Sequence, residues 1–501
     1  MTVEEFDLFV VGGGINGCGI AADAAGRGLA VMLAEQSDLA SGTSSASSKL
    51  IHGGLRYLEL YEFRLVREAL AEREVLLAKA PHIVWPLRFV MPHVASLRPR
   101  WMIRAGLFLY DHLARRQRIP GSSSVDLRAD PAGRPLRADL GHGFAYWDCW
   151  VDDARLVVLN ARAAVDRGAQ IATRTKVVSA RAADGTWEIQ LSTEKGVRSV
   201  RARALVNAAG PWVGAVAHAI TRGNSGQRPH VRLVKGSHIV VPRIPGAEDA
   251  YLLQNADGRV VFLLPLGHRY TIVGTTDVPF DGDPAKVAID AAEETYLLAA
   301  ANGFLAKPLE ASAIVWRYAG VRPLYDDASD NPSAVTRDYR LELEAGGGLP
   351  PLLTVLGGKV TTYRRLAEEA MDRLTPHLPG AGPAWTERAS LPGGDIAHGD
   401  FAAFAADLAR RHPRFDAAWL AQLGRRHGSL TDTVLGDARG PADLGADLGA
   451  GLTEREVAYM RDHEWARTAD DVLWRRTKAG LDLDPSQRAV AEAAISRILG
   501  R

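Results

Sequence analysis

A G-x-G-x-x-G turn set between two short apolar runs constrains this chain more than any other feature. Residues 7–35, DLFVVGGGINGCGIAADAAGRGLAVMLAE, read as strand, tight turn, helix and second strand. Gly12 permits the sharp turn, Gly14 lets a diphosphate approach the backbone, and Gly17 lets the helix pack closely on the strand. Alanine-rich sequence from Ile20 favours helix, and Gly28 ends it just after Arg27. The second run closes on Glu35, whose carboxylate suits the two ribose hydroxyls of an adenosine and repels a 2′-phosphate. The motif predicts dinucleotide binding without separating FAD from NAD.

The 501 residues exceed one compact core, so two or three domains are expected. A net charge of +1 supplies no global field for nucleic acid or membrane. The two cysteines, Cys18 and Cys149, stand far apart without C-x-x-C partners, so neither a disulfide framework nor a metal site is expected. No basic and apolar leader opens the chain, and no run of about eighteen apolar residues could span a bilayer.

Loop 37–59 crowds Thr43, Ser44, Ser45, Ser47 and Ser48 against Lys49, His52, Gly53-Gly54 and Arg56-Tyr57. It follows the second strand, where ligands of such folds bind. Hydroxyls with one lysine suit a diphosphate, and paired glycines suit a flat ring pressed on backbone. Residues 61–80 predict an amphipathic helix with Phe63, Val66, Leu70, Val75 and Leu76 inward and a solvated Glu/Arg face. In 98–118, Arg98, Arg100, Arg104, Arg115, Arg116 and Arg118 flank an apolar, aromatic middle. That segment admits two readings, a helix lying in a membrane interface or a core helix with solvated ends. After a Pro/Gly/Ser-rich loop, α/β character returns from Val151, and Asn207-Ala-Ala-Gly-Pro-Trp212 ends a strand on small residues. Residues 226–345 read as β-rich, and 352–374 return to strand, Gly357-Gly358 and helix. The helix start at Lys359–Thr362 offers N–H groups and a positive dipole end. Beyond a 380–392 linker the chain turns helical, with Trp419, Trp465 and Trp474 expected as core packing.

Glycine turns at opposite ends of the chain, with the Ser/Thr loop, point to an extended cofactor, FAD rather than NAD. Arg56, His238, Arg322, Arg337 and Lys359 lie in short Gly-, Pro- or aromatic-flanked segments and suggest an anionic substrate, since arginine forks bind phosphate or carboxylate bidentately.

The segments GGGINGCGIAADAAGRGL, TSSASSKLIHGGLRYLE, CWVDDARLV, NAAGPW, KGSHIVVPR, GTTDVPF, GVRPL, TRDY, LGGKVTTYR and DHEWARTADDVLWRRTK together resemble the aerobic FAD-dependent glycerol-3-phosphate dehydrogenases over nearly the whole chain. The resemblance implies an α/β fold: a Rossmann-like FAD-binding domain, an inserted antiparallel substrate sheet as in amino-acid-oxidase flavoproteins, and a C-terminal helical cap. The expected division is 1–82, 144–225 and 346–379 for the FAD-binding domain, 83–143 for a substrate- or membrane-facing insertion, 226–345 for the substrate domain and 380–501 for the helical domain. It implies oxidation of sn-glycerol 3-phosphate to dihydroxyacetone phosphate, with electrons passed to ubiquinone at the cytoplasmic face of the inner membrane, peripherally bound, and it admits a homodimer. Cofactor contacts would come from Gly12, Gly14, Ile15, Asn16, Gly17 and Glu35; from Thr43, Ser44, Ser48, Lys49, Leu50, His52 and Gly53; from Val177, Ala209, Gly210 and Trp212; and from Gly357, Gly358, Lys359, Thr361 and Thr362. Arg56, Tyr57, Arg337 and Lys359 would hold the phosphate with Thr275 near it, while Arg322 and His238 face the C2 hydroxyl. His238 is then a candidate base, with Lys359 or a water as its rival, and Arg322 an alkoxide stabiliser. No cysteine neighbours GGLRY or Arg322, so FAD is expected to be noncovalent. The alternatives are an oxidase using oxygen, an amino-acid or sarcosine oxidase, and a protein that keeps FAD as a structural ligand.

Overall fold

The computed structural model describes residues 3–94, 98–221, 231–325 and 338–500. The strand Glu4–Val11, the helix Ile15–Gly26 and the strand Val31–Ala34 form as the spacing predicts. Glu4–Val11 lies between parallel neighbours, Leu8 registering with Val31 on one side and Ala204 on the other. Its apolar run follows from that position, because a parallel strand covered on both faces has no polar side. The strand Leu349–Leu356 joins the same nine-stranded sheet beside Gly196–Asn207, in parallel. The two ends of the chain thus share one sheet. The helices Ile15–Gly26, Asp153–Val165 and Tyr363–Leu374 cover it, and a Cβ on Gly19 would come 2.8 Å from the Tyr363 ring.

A second, ten-stranded sheet is largely antiparallel. Its centre is Val231–Pro242, paired antiparallel with both Tyr270–Gly274 and Trp316–Tyr325. The expected 83–143 insertion supplies Val84–Pro92 to this sheet, and His142–Val151 pairs with that strand through Val151. The substrate sheet therefore runs eight residues past the expected boundary at 143, because a ladder begun at Gly143 continues for as long as its partner does. Likewise Arg340–Gly346 pairs with Leu349–Leu356 in the dinucleotide sheet, on the far side of the boundary at 345.

A further expectation fails. The helix Phe63–Lys79 leaves Phe63 exposed and buries Glu72, Arg73, Glu74 and Lys79. The polar face is ion-paired instead of solvated: Arg73 donates to Asp148 at 2.6 Å and Glu72 accepts from Arg364 at 2.8 Å. The helix Arg100–His112 turns Leu107 and Tyr110 inward and leaves Trp101 69% and Phe108 58% exposed. One face packs into the core and the other leaves apolar side chains exposed; among the described residues no helix is long and apolar enough to cross a membrane. The C-terminal region is helical as expected, with Thr431–Leu435 added between the anticipated segments.

Candidate active site

The cradle at the first turn is built from backbone. Gly12 has φ +111°, and a Cβ there would sit 2.6 Å from the Ala208 carbonyl oxygen; one on Gly17 would sit 1.9 Å from that of Gly12. No side chain larger than hydrogen fits either place. Gly14 precedes the helix without a capping side chain, which leaves first-turn N–H groups to an anion. Ile15 N donates to Ser44 Oγ at 3.0 Å, and Thr43 Oγ1 donates to the Val321 carbonyl, so the hydroxyl loop is pinned across both sheets. Glu35 accepts from Gly13 N at 2.7 Å and Ser37 N at 2.8 Å. Burial raises its pKa, partly offset by those two backbone donors.

The distant glycine turn closes on this cradle. Asn16 Nδ2 donates to the Gly357 carbonyl at 3.1 Å, and a Cβ on Gly358 would lie 2.8 Å from the same nitrogen. The Thr361 hydroxyl accepts from His52 N at 3.2 Å, and Thr361 and Thr362 are buried at the start of Tyr363–Leu374. Gly53 N donates to Tyr110 Oη at 2.9 Å, while Leu50 joins the substrate sheet opposite Trp150. Ala208 N donates to the Val11 carbonyl at 2.9 Å, which sets Ala209, Gly210 and Trp212 at the end of the central strand. Trp212 lies against Gly42, Gly210 has open space where a Cβ would be, and Val177 is buried in Lys176–Ala183. The buried Asn16 Oδ1 has no protein partner. Backbone donors, a ribose-accepting carboxylate, glycine-lined approach and an unsatisfied amide oxygen fit an extended dinucleotide.

Lys49 departs from expectation. Its buried ammonium donates to both oxygens of Asp153, at 2.9 and 3.0 Å, and to the Ser45 carbonyl. With its charge matched inside the fold, it braces the loop.

The substrate half is made of side chains. His238 is 3% exposed, its Nε2 is 2.9 Å from Ser48 Oγ, and its ring stacks on Tyr318 at 4.6 Å. Burial first, then the charges of Lys49 and Arg322, lower its pKa to about 3, so the ring is neutral and does not join the cations. Its buried Nδ1 has no partner. Gly274 must lack a side chain here, since a Cβ would fall 2.2 Å from His238 Cδ2. Arg322 donates to Asp277 at 2.7 Å and the Thr276 carbonyl at 3.2 Å. Thr275 and Arg322 converge on Gly236, whose Cβ would lie 2.8 Å from Thr275 Oγ1 and 3.0 Å from an Arg322 nitrogen. Lys359 Nζ lies 3.8 Å from the Tyr57 ring centroid, next to Arg56 in the turn Leu55–Leu58. Arg337 lies outside the described residues.

Sequence reading missed Tyr318 and Asp277. Tyr318 was legible from Arg322: residues 318, 320 and 322 share one face of a strand, so alternation leads from the arginine to Tyr318. Asp277 stood inside GTTDVPF, where only Thr275 was singled out. Trp474 was expected inside the helical domain; it also stacks on Trp316, at 5.0 Å.

Family models describing an FAD dependent oxidoreductase and the C-terminal domain of alpha-glycerophosphate oxidase match residues 7–364 and 384–499. A glycerol-3-phosphate dehydrogenase of Pseudomonas aeruginosa is 56% identical, over 97% of this chain and 94% of that one. A D-erythritol 1-phosphate dehydrogenase of Brucella abortus is 51% identical, over 97% of each chain. The crystal structure of a Bacillus halodurans glycerol-3-phosphate dehydrogenase complexed with FAD superposes with a TM-score of 0.74 at 27% identity, covering 99% of this chain and 94% of that one. With its cradle, its substrate sheet and both family matches, the chain belongs to the FAD-dependent glycerol-3-phosphate dehydrogenase family.

Proposed function

We propose that this flavoenzyme oxidises sn-glycerol 3-phosphate to dihydroxyacetone phosphate, and that its electrons pass to ubiquinone. The observation carrying this reading is a neutral, buried His238 near Arg322 on the substrate sheet, its Nε2 2.9 Å from Ser48 of the hydroxyl loop. Bound FAD supplies the hydride acceptor for the C2 hydrogen. Gly12, Gly14, Gly17, Glu35 and the Gly357–Thr362 turn would hold it without a covalent bond, since Cys18 and Cys149 are buried and neither stands in the GGLRY loop or beside Arg322. His238 takes the C2 hydroxyl proton, its unpartnered Nδ1 being free to accept a hydrogen bond. Arg322, held in place by Asp277, faces the developing alkoxide. Arg56, Tyr57, Lys359 and Arg337 bind the phosphate, with Thr275 beside them. Burial depresses His238 most, and the charges of Lys49 and Arg322 add to it; the phosphate dianion offsets that added part, so substrate raises the proton affinity of its own base.

The membrane reading rests on exposed apolar surface. Trp101, Met102, Phe108 and Leu109 stand out of the Arg100–His112 helix, and Leu60, Tyr61 and Phe63 stand out of the neighbouring turn. Arg98 pairs with Glu59 across the two segments at 3.4 Å. Shallow insertion of these side chains would hold the protein at the cytoplasmic face of the inner membrane, within reach of quinone. Arg104, Arg116 and Arg118 already donate to Ser122, the Asp111 carbonyl and the His398 carbonyl. The contact with anionic lipid therefore falls to Arg100, Arg115 and the aromatics.

One comparison favours a second reading: a D-erythritol 1-phosphate dehydrogenase is 51% identical over nearly the full length. Anaerobic turnover with a short-chain quinone decides between the two substrates, and an oxygen arm tests the oxidase alternative. The account expects the higher kcat/KM with sn-glycerol 3-phosphate and little peroxide in air. A higher value with D-erythritol 1-phosphate transfers the assignment, and reduction by amino acids alone overturns both.

A further inference from the structure

The C-terminal helical domain touches both halves of the site through one short segment. Its π-helix Asp471–Arg476 places two arginines on Asp38, more than four hundred residues earlier in the chain. Arg475 Nε donates to Asp38 at 2.7 Å, and Arg476 donates to both carboxylate oxygens at 2.6 and 2.8 Å. Asp38 and Arg476 are buried, and Arg476 also donates to the Glu464 carbonyl. Asp38 lies in the loop that carries Glu35. Two residues on, Ala40 N donates to the Gly13 carbonyl at 3.0 Å, so this loop and the dinucleotide turn form one hydrogen-bonded unit. Asp471, on the same π-helix, accepts from Arg174 at 2.6 Å, and Arg174 N in turn donates to the Ser37 carbonyl.

The same segment reaches the substrate sheet. Trp474 stacks on Trp316 at 5.0 Å, Trp316 meets Tyr318 at 4.8 Å, and Tyr318 stacks on His238 at 4.6 Å with an interplanar angle of 8°. Trp316 and Tyr318 belong to the strand that carries Arg322. Just beyond, Tyr270 Oη donates to the Leu481 carbonyl at 2.7 Å and Arg269 pairs with Asp482 at 3.1 Å. A rigid ring column with one end in the helical domain and the other on His238 fixes the imidazole plane, because stacked aromatics resist both tilt and slide.

We propose that the helical domain is a working part of the active site: its 471–482 segment clasps the cofactor loop through Asp38 and orients His238 through the rings that begin at Trp474. Trp474 is then a positioning residue, and cofactor occupancy and domain docking are thermodynamically linked, each strengthening the other. The ring arm rests on the proposed role of His238; the Asp38 arm stands without it.

The test uses the full chain. Trp474→Leu should keep its FAD and its substrate affinity while the rate of anaerobic flavin reduction falls about tenfold or more, as misplaced catalytic groups do. Trp474→Phe, which keeps a ring, should recover most of that rate, and Trp316→Leu should reproduce the loss. Combining Trp316→Leu with Trp474→Leu should add little, since both cut one column. Arg475→Gln, at the less buried arginine, should weaken FAD binding roughly fivefold or more, read by titration of the apoprotein with FAD. FAD should slow tryptic cleavage at Arg388, an exposed residue of the linker, and this protection should shrink in Arg475→Gln. Wild-type reduction rates in Trp474→Leu, or equal losses in its Phe and Leu forms, overturn the ring arm. Unchanged FAD affinity in Arg475→Gln, or cleavage indifferent to FAD, overturns the clasp. A wild-type protein that no polyol phosphate reduces would remove the functional reading while the FAD titration and proteolysis still decide the Asp38 arm.

Discussion

The dinucleotide half and the substrate half of the site are built on opposite plans. The first is centred on backbone from one contiguous stretch, Gly12 to Glu35, shaped by where side chains are missing and closed by the distant Gly357-Gly358 turn. The second is side chains from separate segments: the Tyr57 turn, His238, Thr275 to Asp277, Arg322 and Lys359. A contiguous backbone site is fixed by local spacing, so it folds with its own strand and helix. A scattered side-chain site exists only when two sheets and a closing strand are in register. The first half should therefore fail as a cofactor site, and the second as a catalyst that keeps its cofactor.

The same methyl group added to each half sharpens the contrast. Gly17→Ala puts a carbon 1.9 Å from the Gly12 carbonyl oxygen and separates helix from strand. It should abolish bound flavin, measured as flavin released per chain, and this is the largest effect expected. Gly274→Ala puts a carbon 2.2 Å from the His238 ring and displaces the imidazole. That variant should purify yellow, with kcat lowered about a hundredfold and KM little changed. Flavin-free Gly274→Ala, or flavin-replete Gly17→Ala with normal turnover, would break the comparison.

A smaller effect lies in the seam beneath the helical domain. His82 is fully buried between Gly393 and Gly428, and neither ring nitrogen has a protein partner. Burial, with Arg155, His427 and Arg425 nearby, holds its pKa well below 6.5. The folded protein thus keeps His82 neutral where the unfolded chain takes up a proton. Its share of stability is present above about pH 6.5 and is lost as pH falls below it, at about 1.4 kcal/mol per pH unit. His82→Leu should flatten the fall in denaturation midpoint between neutral pH and pH 5; an unchanged slope would show that His82 does not titrate with unfolding.

The contrast also explains what the sequence could reveal. The turn, the helix and Glu35 were legible because each depends on neighbours within one βαβ unit. The closing Gly357-Gly358 turn was legible for the same local reason, though its bond to Asn16 was not. The ion pair of Lys49 was not legible because its partner, Asp153, lies about a hundred residues away, and a buried ion pair leaves no spacing to read. The polar face of Phe63–Lys79 went wrong in the same way, since Glu72 and Arg73 meet Arg364 and Asp148 only once the chain is folded. His238 and Arg322 were singled out as cations, their roles came through family resemblance, and Tyr318 could have been found by strand alternation. The 143 boundary slipped because strand pairing, which sets domain membership, is non-local.

The central claim is that both halves act on one C2–H bond. Anaerobic single-turnover mixing with sn-glycerol 3-phosphate, protiated or deuterated at C2, tests it most directly. The account predicts loss of the flavin's visible absorption in one fast phase, slowed clearly by deuterium and slowed much further in Gly274→Ala. Flavin left oxidised by saturating substrate, or bleached at a rate indifferent to both deuterium and the added methyl, would contradict it.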